Sequence, residues 1–208
     1  MSRRTTAIAA ALSVLALGSP LVIASANPLA DNLFNSGVDK YYQGDYQGAI
    51  ADYDKAIEID PQFEDAYYWR ASAKTKLGDH QGAIADYTKT IEIDPQYVSA
   101  YLNRGITKGR LKNYQGAIAD FNKAIEVNSK YALAYYNRGK AKRELKDYQG
   151  AIADYTKAIE INPEDANAYL NRGIDREIVN DLEGACRDWK KAVDLGNKRP
   201  AEWVKNQC

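Results

Sequence analysis

The sequence predicts an all-α solenoid: five pairs of helices stacked in chain order, closed by one further helix at the C-terminus. The first observation behind this is an echo. Tyr46-Gln47-Gly48-Ala49-Ile50 returns as His80-Gln81-Gly82-Ala83-Ile84, again from Tyr114 and from Tyr148, and more loosely from Leu182, always after 34 residues. A period of that length marks units too small to bury their own apolar face, which must stack on their neighbours. The second is punctuation in the same step. Gly44-Asp45, Gly78-Asp79, Lys112-Asn113, Lys146-Asp147 and Asn180-Asp181 each read as a helix stop followed by an N-terminal cap. The third is a recurrence of small residues. Gly37, Ala71, Gly105, Gly139 and Gly173 mark the first helix of each repeat, and Ala49, Ala83, Ala117, Ala151 and Ala185 mark the second. A glycine inside a helix costs about 0.5–1 kcal/mol relative to alanine, so its return implies a steric need.

Taken in order, residues 1–26 read as an export signal. Arg3 and Arg4 give a basic start, 7–17 is uncharged and largely apolar, and Ala24-Ser25-Ala26 is a small-residue cleavage site. The expected address is the periplasm or the exterior, with cleavage after Ala26 and no membrane span thereafter. Ser2-Arg3-Arg4 also suggests a twin-arginine start, but Thr6 and Ala7 stand where larger apolar residues are usual, so a general secretory signal is the reading. A retained membrane anchor is the alternative; Pro20 and the short apolar run argue against it. A short lead, 27–29, precedes five repeats at 30–63, 64–97, 98–131, 132–165 and 166–199. In the second of these, helices are expected over 66–77 and 81–93. Pro61, Pro95 and Pro163 close their repeats, with Ser129 in that place in the third. Residues 200–208 form the capping helix, opened by Pro200. A terminal cap is needed because the last repeat would otherwise expose its apolar face.

Bulk properties exclude some functions. The chain carries 28 basic and 28 acidic residues; without Arg3 and Arg4 the remainder stands at 26 against 28, a balance of −2. That is not the basic excess a general nucleic-acid binder uses to release counterions. Sixteen tyrosines against three phenylalanines point to aromatic packing near water. Catalysis finds no support. The single histidine, His80, takes the place of Tyr46, Tyr114 and Tyr148 and reads as a packing substitution. No phosphate-binding glycine loop or metal-ligand cluster occurs, so neither cofactor nor metal is expected.

Asn103-Arg104-Gly105, Asn137-Arg138-Gly139 and Asn171-Arg172-Gly173 look at first like a polar site. The register argues otherwise. Arg70, Arg104, Arg138 and Arg172 keep step with Asp86, Asp120, Asp154 and Asp188, always 16 residues on, which in an antiparallel helix pair brings them together as partly buried bridges.

These residues together resemble the tetratricopeptide repeat. Its pattern is carried most fully by the fourth repeat, through Tyr135, Gly139, Tyr148, Ala151, Tyr155, Ala158 and Pro163. Departures occur at His80, Thr90 and Ser129 and in the looser fifth repeat. The resemblance implies a right-handed superhelix whose first helices line a concave groove, and a non-catalytic scaffold that binds a peptide segment of another protein. On that basis the groove candidates are Phe34, Val38 and Tyr42 from the first repeat and Tyr68, Ser72 and Lys76 from the second. Leu102, Ile106 and Arg110 follow from the third, Tyr136, Lys140 and Arg143 from the fourth, and Leu170 and Ile174 from the fifth. Each of these side chains alternatively packs between neighbouring repeats. Some members of the family hold a peptide's terminal carboxylate with Lys, Asn and Arg side chains. Of the positions that would carry this clamp, only Asn103 or Asn137 matches, so it is not expected here.

The groove charges are uneven. Residues 67–77, 101–111 and 135–145 each sum to +3, while 81–94, 115–127 and 149–161 sum to −2, −1 and −1. A basic groove would steer an acidic peptide. Six of the ten cations lean toward the second helices, leaving Lys76, Arg110, Lys140 and Arg143 for the groove. The alternative function is structural self-assembly, a homo-oligomer built on an apolar strip of Leu170, Ile174 and Ile178.

In the tail, Cys186 lies nine residues before Leu195 and Cys208 eight after Pro200, which levels the two sulfurs across an antiparallel hairpin. The tail also resembles the ends of exported bacterial members of the family, cyanobacterial ones included, for which the thylakoid lumen is a further address. A Cys186–Cys208 disulfide is the reading, with two separate thiols as the alternative; such a bond stabilises by roughly 2–4 kcal/mol.

Overall fold

The computed structural model describes residues 27–208, and all regular secondary structure among them is helical. The signal expected over 1–26 lies outside the described residues. In chain order the helices are α1 (Pro28–Gln43), α2 (Tyr46–Ile59), α3 (Glu64–Lys76), α4 (His80–Ile93), α5 (Val98–Arg110) and α6 (Tyr114–Val127). There follow α7 (Ala132–Glu144), α8 (Tyr148–Ile161), α9 (Ala166–Ile178), α10 (Leu182–Asp194) and the short α11 (Ala201–Gln207). The first ten form hairpins of consecutive helices, and α11 packs on α10. They fall into two compact units: α1–α4 in the first, within 1–95, and α5–α11 in the second, 96–208. In the first unit one hairpin stacks on the next through α2 and α3; in the second, α6 packs on α7 and α8 on α9.

Every second helix starts alike. Asp45, Asp79, Asn113, Asp147 and Asp181 accept the backbone N–H of Gly48, Gly82, Gly116, Gly150 and Gly184 at 2.9–3.0 Å. A Cβ on Gly48, Gly82, Gly150 or Gly184 would stand 2.0–2.1 Å from the capping carboxylate. The glycine of the Gln-Gly-Ala-Ile string therefore serves the cap, whereas its alanine is the stacking residue, with Ala49, Ala83, Ala117, Ala151 and Ala185 fully buried. The preceding stop needs left-handed backbone. Gly44 and Gly78 supply it at φ 85° and 83°, but Lys112, Lys146 and Asn180 adopt it at 61°, 63° and 63°.

In four of the five hairpins a glycine of the first helix lies under an aromatic ring of the second. A Cβ added to Gly37 would meet the Tyr53 ring at 2.5 Å; at Gly105 it would meet Phe121 at 2.6 Å, at Gly139 Tyr155 at 2.9 Å, and at Gly173 Trp189 at 2.5 Å. Thr90, which departs from the alanine pattern, is fully buried with its hydroxyl donating to the carbonyls of Asp86 and Glu64. That satisfies a polar atom that would otherwise cost stability.

The arginine register resolves into paired hydrogen bonds. Arg70 Nε and Nη2 donate to Asp86 at 2.8 and 2.6 Å, and the same two-pronged contact joins Arg104 to Asp120, Arg138 to Asp154 and Arg172 to Asp188. A second cation one turn along completes each site: Lys74, Lys108, Lys142 and Arg176 reach the same carboxylates at 2.8–2.9 Å. In the first hairpin, Ser36 and Lys40 bind Asp52 at 2.6 Å each. Burial would raise the Asp52 carboxyl, but these two donors outweigh it and hold it below its ordinary range. The third arm of the arginine reaches back to the preceding hairpin. Arg70 binds Asp54 at 2.6 Å, Arg138 binds Asn122 at 2.6 Å, and Arg172 binds Thr156 at 3.0 Å. The bridge thus ties successive hairpins within each unit as well as the two helices of one hairpin.

The tail closes as the cysteine register implies. Cys186 of α10 and Cys208 are joined in a disulfide with Cα atoms 5.6 Å apart. Trp203 of α11 packs on Trp189 with ring centroids at 5.2 Å, covering the last hairpin.

Removing Arg138 leaves the buried Asp154 with Lys142 as its remaining cation, so Arg138→Ala should cost about 2 kcal/mol, and Arg138→Ala with Asp154→Ala clearly less than the two singles added. Urea unfolding of the three variants measures this; additive losses would show that the bridge carries no coupling. Lys112→Gly should gain about 0.5–1 kcal/mol by relieving left-handed backbone, seen as a higher melting temperature by circular dichroism.

Candidate functional site

The first-helix residues expected to face a groove divide into several kinds. Phe34 belongs to the core of the first unit, its ring 5.9 Å from Tyr53 and 4.9 Å from Phe63. Val38 is half-buried and Lys76 exposed. Ser72 donates to the Tyr68 carbonyl and lies 3.2 Å from the Tyr87 hydroxyl, so its polar atom is already engaged. Leu102 and Leu170 are 5% and 2% exposed. They are packing residues: Leu170 sits with Ala185, Trp189 and Ala192, and Ile174, Trp203 and Val204 pack against that cluster. The apolar strip proposed for self-assembly is therefore largely covered by the chain's own tail, with Ile178 remaining exposed.

The first unit instead presents a run of rings. Tyr41 contacts Tyr42, Tyr46 and Trp69 edge-on at 5.8, 5.3 and 5.2 Å; Trp69 contacts Tyr42 and Tyr68; Tyr68 contacts Tyr87. Tyr42 is 75% exposed at its edge. Burial, with the neighbouring phenols, raises the Tyr41 hydroxyl above its ordinary range, so it stays protonated at neutral pH. Trp69 was not among the sequence candidates. Its signal is that it stands where Asn103, Asn137 and Asn171 stand in the later repeats.

Four candidates gather in the second unit. Ile106, Arg110 and Lys140 line an open cavity of about 350 Å³ with Gly105, Gly109, Tyr114, Ala117, Phe121, Asn137, Ala141 and Glu144. Lys140 lies 5.7 Å from the ring centroid of Tyr136, a cation–π arrangement. Tyr114 donates its hydroxyl to Glu144 at 3.3 Å, which anchors the acidic member of the wall. Tyr136, beyond Lys140, accepts a hydrogen bond from Asn171 Nδ2 at 2.9 Å.

Arg143 is not a groove charge. Its Nε donates to Asp175 at 2.6 Å, its other nitrogens to the Asn171 side-chain oxygen and carbonyl at 3.1 and 2.5 Å, and its guanidinium lies 5.5 Å from the Tyr155 ring centroid. Asp175 is fully buried, and its second oxygen has no protein partner. Burial raises its carboxyl pKa, and Arg143 offsets this only in part. The sequence held a sign of this pair: Asp175 occupies the position of Ala73, Thr107 and Ala141, small side chains in the three preceding repeats, with Asp39 there in the first. Among the described residues no group of three or more His, Cys, Asp or Glu could hold a metal, and no helix is long and apolar enough to cross a membrane.

Two family models match the chain. The one described as TPR repeat covers 37–78, 71–112 and 110–145, and the one described as Tetratricopeptide repeat covers 132–165. No curated protein matches the sequence. Solved structures do. A MamA protein is 27% identical over 84% of this chain and 95% of its own, with a TM-score of 0.75. YrrB, described as a TPR protein with an unusual peptide-binding site, shares 20% identity and a TM-score of 0.72 over 86% of this chain and 92% of its own. Pseudomonas aeruginosa pilF shares 19% identity and a TM-score of 0.75 over 84% and 79%. At those identities the last two speak for the fold alone.

Asp175→Ala should cost about 2–4 kcal/mol by leaving Arg143 buried without its carboxylate, and adding Arg143→Ala should recover much of that loss in urea unfolding. The pH dependence has a definite sign. The folded-state pKa of Asp175 is raised, so its ionised form weighs against folding, and that cost is absent below the ordinary value of 3.8. The stability of wild type relative to Asp175→Asn should thus fall as pH rises from there through the folded pKa.

Proposed function

The chain belongs to the tetratricopeptide repeat family, and from that membership we propose that it is a non-catalytic adaptor holding a peptide segment of another protein against its first helices. The observation that carries the reading is a contrast within the second unit. Lys108, Lys142, Arg138 and Arg143 are all held by carboxylates in the body of the fold. Arg110 and Lys140 are exposed and border an open cavity floored by Ile106, Ala117 and Phe121. An apolar floor with few, placed charges is what peptide recognition uses. YrrB, which shares the fold, is described as having a peptide-binding site of its own.

The same reading takes the chain as exported, with residues 1–26 as a cleaved signal. The Cys186–Cys208 disulfide supports it, because such bonds persist in oxidising compartments. Periplasm is the compartment proposed.

Site-specific photocrosslinking in the producing cell tests the adaptor role. A benzophenone amino acid at Ile106 or Lys140 should capture one discrete partner, and the same group at Lys123, on the exposed side of α6, should capture none. Equal capture at Lys123, or crosslinks only to a second copy of the chain, would replace the adaptor reading, the latter with self-assembly.

A further inference from the structure

One repeat position is filled differently in each copy: Tyr41, Thr75, Gly109, Arg143 and Glu177. In four copies a side chain stands there, and in the fourth it turns into the body of the fold to meet Asp175 at 2.6 Å. In the third it is glycine. A Cβ built on Gly109 meets nothing within 4 Å, and the residue lines the 350 Å³ cavity. Gly109 has ordinary helical φ and no turn to make, so neither backbone conformation nor close packing accounts for it. It weakens an exposed helix, and what it leaves is an opening.

The walls of the opening differ in kind. Its floor is apolar, formed by Ile106, Ala117 and the nearly buried Phe121. Its rim carries Arg110 and Lys140, neither paired with a carboxylate among the described residues, while the rim's own carboxylate, Glu144, is engaged by Tyr114. The wall thus carries two cations against one carboxylate around a partly apolar recess whose volume admits a bulky side chain.

We propose that the recess left by Gly109 is the specificity pocket of the groove, taking one bulky apolar side chain of a partner peptide whose neighbouring residues are acidic. The apolar side chain fills the space above Ile106 and Phe121. The flanking carboxylates meet Arg110 and Lys140, which fixes the register of the peptide as well as its charge preference. This rests on the groove reading above and adds which residue of the partner is recognised.

The probe is acetyl-Gly-Asp-Phe-Glu-Gly-amide, titrated into the oxidised, nitrogen-15-labelled full chain. Saturable amide shifts are expected at Gly105, Gly109 and Asn137. A peptide with Ala for Phe, and another with Lys for both acids, should each bind roughly ten-fold or more weakly. Gly109→Leu, which fills the recess and improves helix propensity, should weaken the parent peptide to the same degree without lowering the melting temperature. Undiminished binding to Gly109→Leu, or the absence of shifts at millimolar peptide, would overturn the pocket. Shifts confined to other first-helix residues would also overturn it while leaving the groove itself standing, and crosslinks at Ile106 with no Gly109 dependence would separate the two in the same way.

Discussion

The rest of the structure depends on how closely the two helices of each hairpin approach. An aromatic ring of the second helix lies directly on the backbone of the first over Gly37, Gly105, Gly139 and Gly173, and the second repeat has the buried, methyl-sized Ala71 in that place. That approach sets the distance at which an arginine and an aspartate 16 residues apart make two parallel hydrogen bonds. Once the aspartate is buried and its arginine is committed, the remaining guanidinium nitrogen is aimed at the preceding hairpin, where Asp54, Asn122 or Thr156 receives it. Steric contact, ion pairing and stacking are therefore one construction. A helical glycine costs about 1 kcal/mol or less, and a stranded buried charge several, so the construction favours keeping the glycine.

The same construction decides which charges a partner can meet. The basic excess of the first helices looks like a positive groove when only summed along the chain. In the fold, Arg70, Arg104 and Arg138, with Lys74, Lys108 and Lys142, neutralise the buried aspartates of the second helices. Arg143 is taken as well, by Asp175, an acid at a position where the second, third and fourth repeats have alanine or threonine. Lys76, Arg110 and Lys140 are left. The electrostatics of the binding face come from positions where the repeats disagree.

Much of the fold was legible because both partners of each key contact lie within one 34-residue period. Capping Asp and its Gly three residues on, Gly105 and Phe121, and Arg138 and Asp154 are all fixed offsets within a helix hairpin, and five near-copies make the offsets visible. The groove was less legible because its contacts cross from one repeat to the next, or run to the tail. Leu170 looked like a groove residue by register, yet Trp189 and the tail residues Trp203 and Val204 make it part of the core. Phe34 went the same way beside Phe63. Asp175 had a sign in the sequence, an acid where the three preceding repeats have small residues, but its partner 32 positions earlier has no counterpart in another repeat to reveal the offset.

By itself the sequence determined the helix pairs, their stops and caps, the bridge between paired helices and the register of Cys186 with Cys208. Each follows from local backbone geometry or from a spacing held constant by helix rise and turn length. Only the tertiary structure decided which exposed-looking first-helix residues are free. That outcome turns on what stands opposite them: a buried carboxylate consumes Arg143, a tryptophan covers Leu170, and an absent side chain at Gly109 leaves space over Ile106 and Phe121. Burial is a property of the pair of surfaces in contact, and a sequence read one residue at a time holds only one of the two.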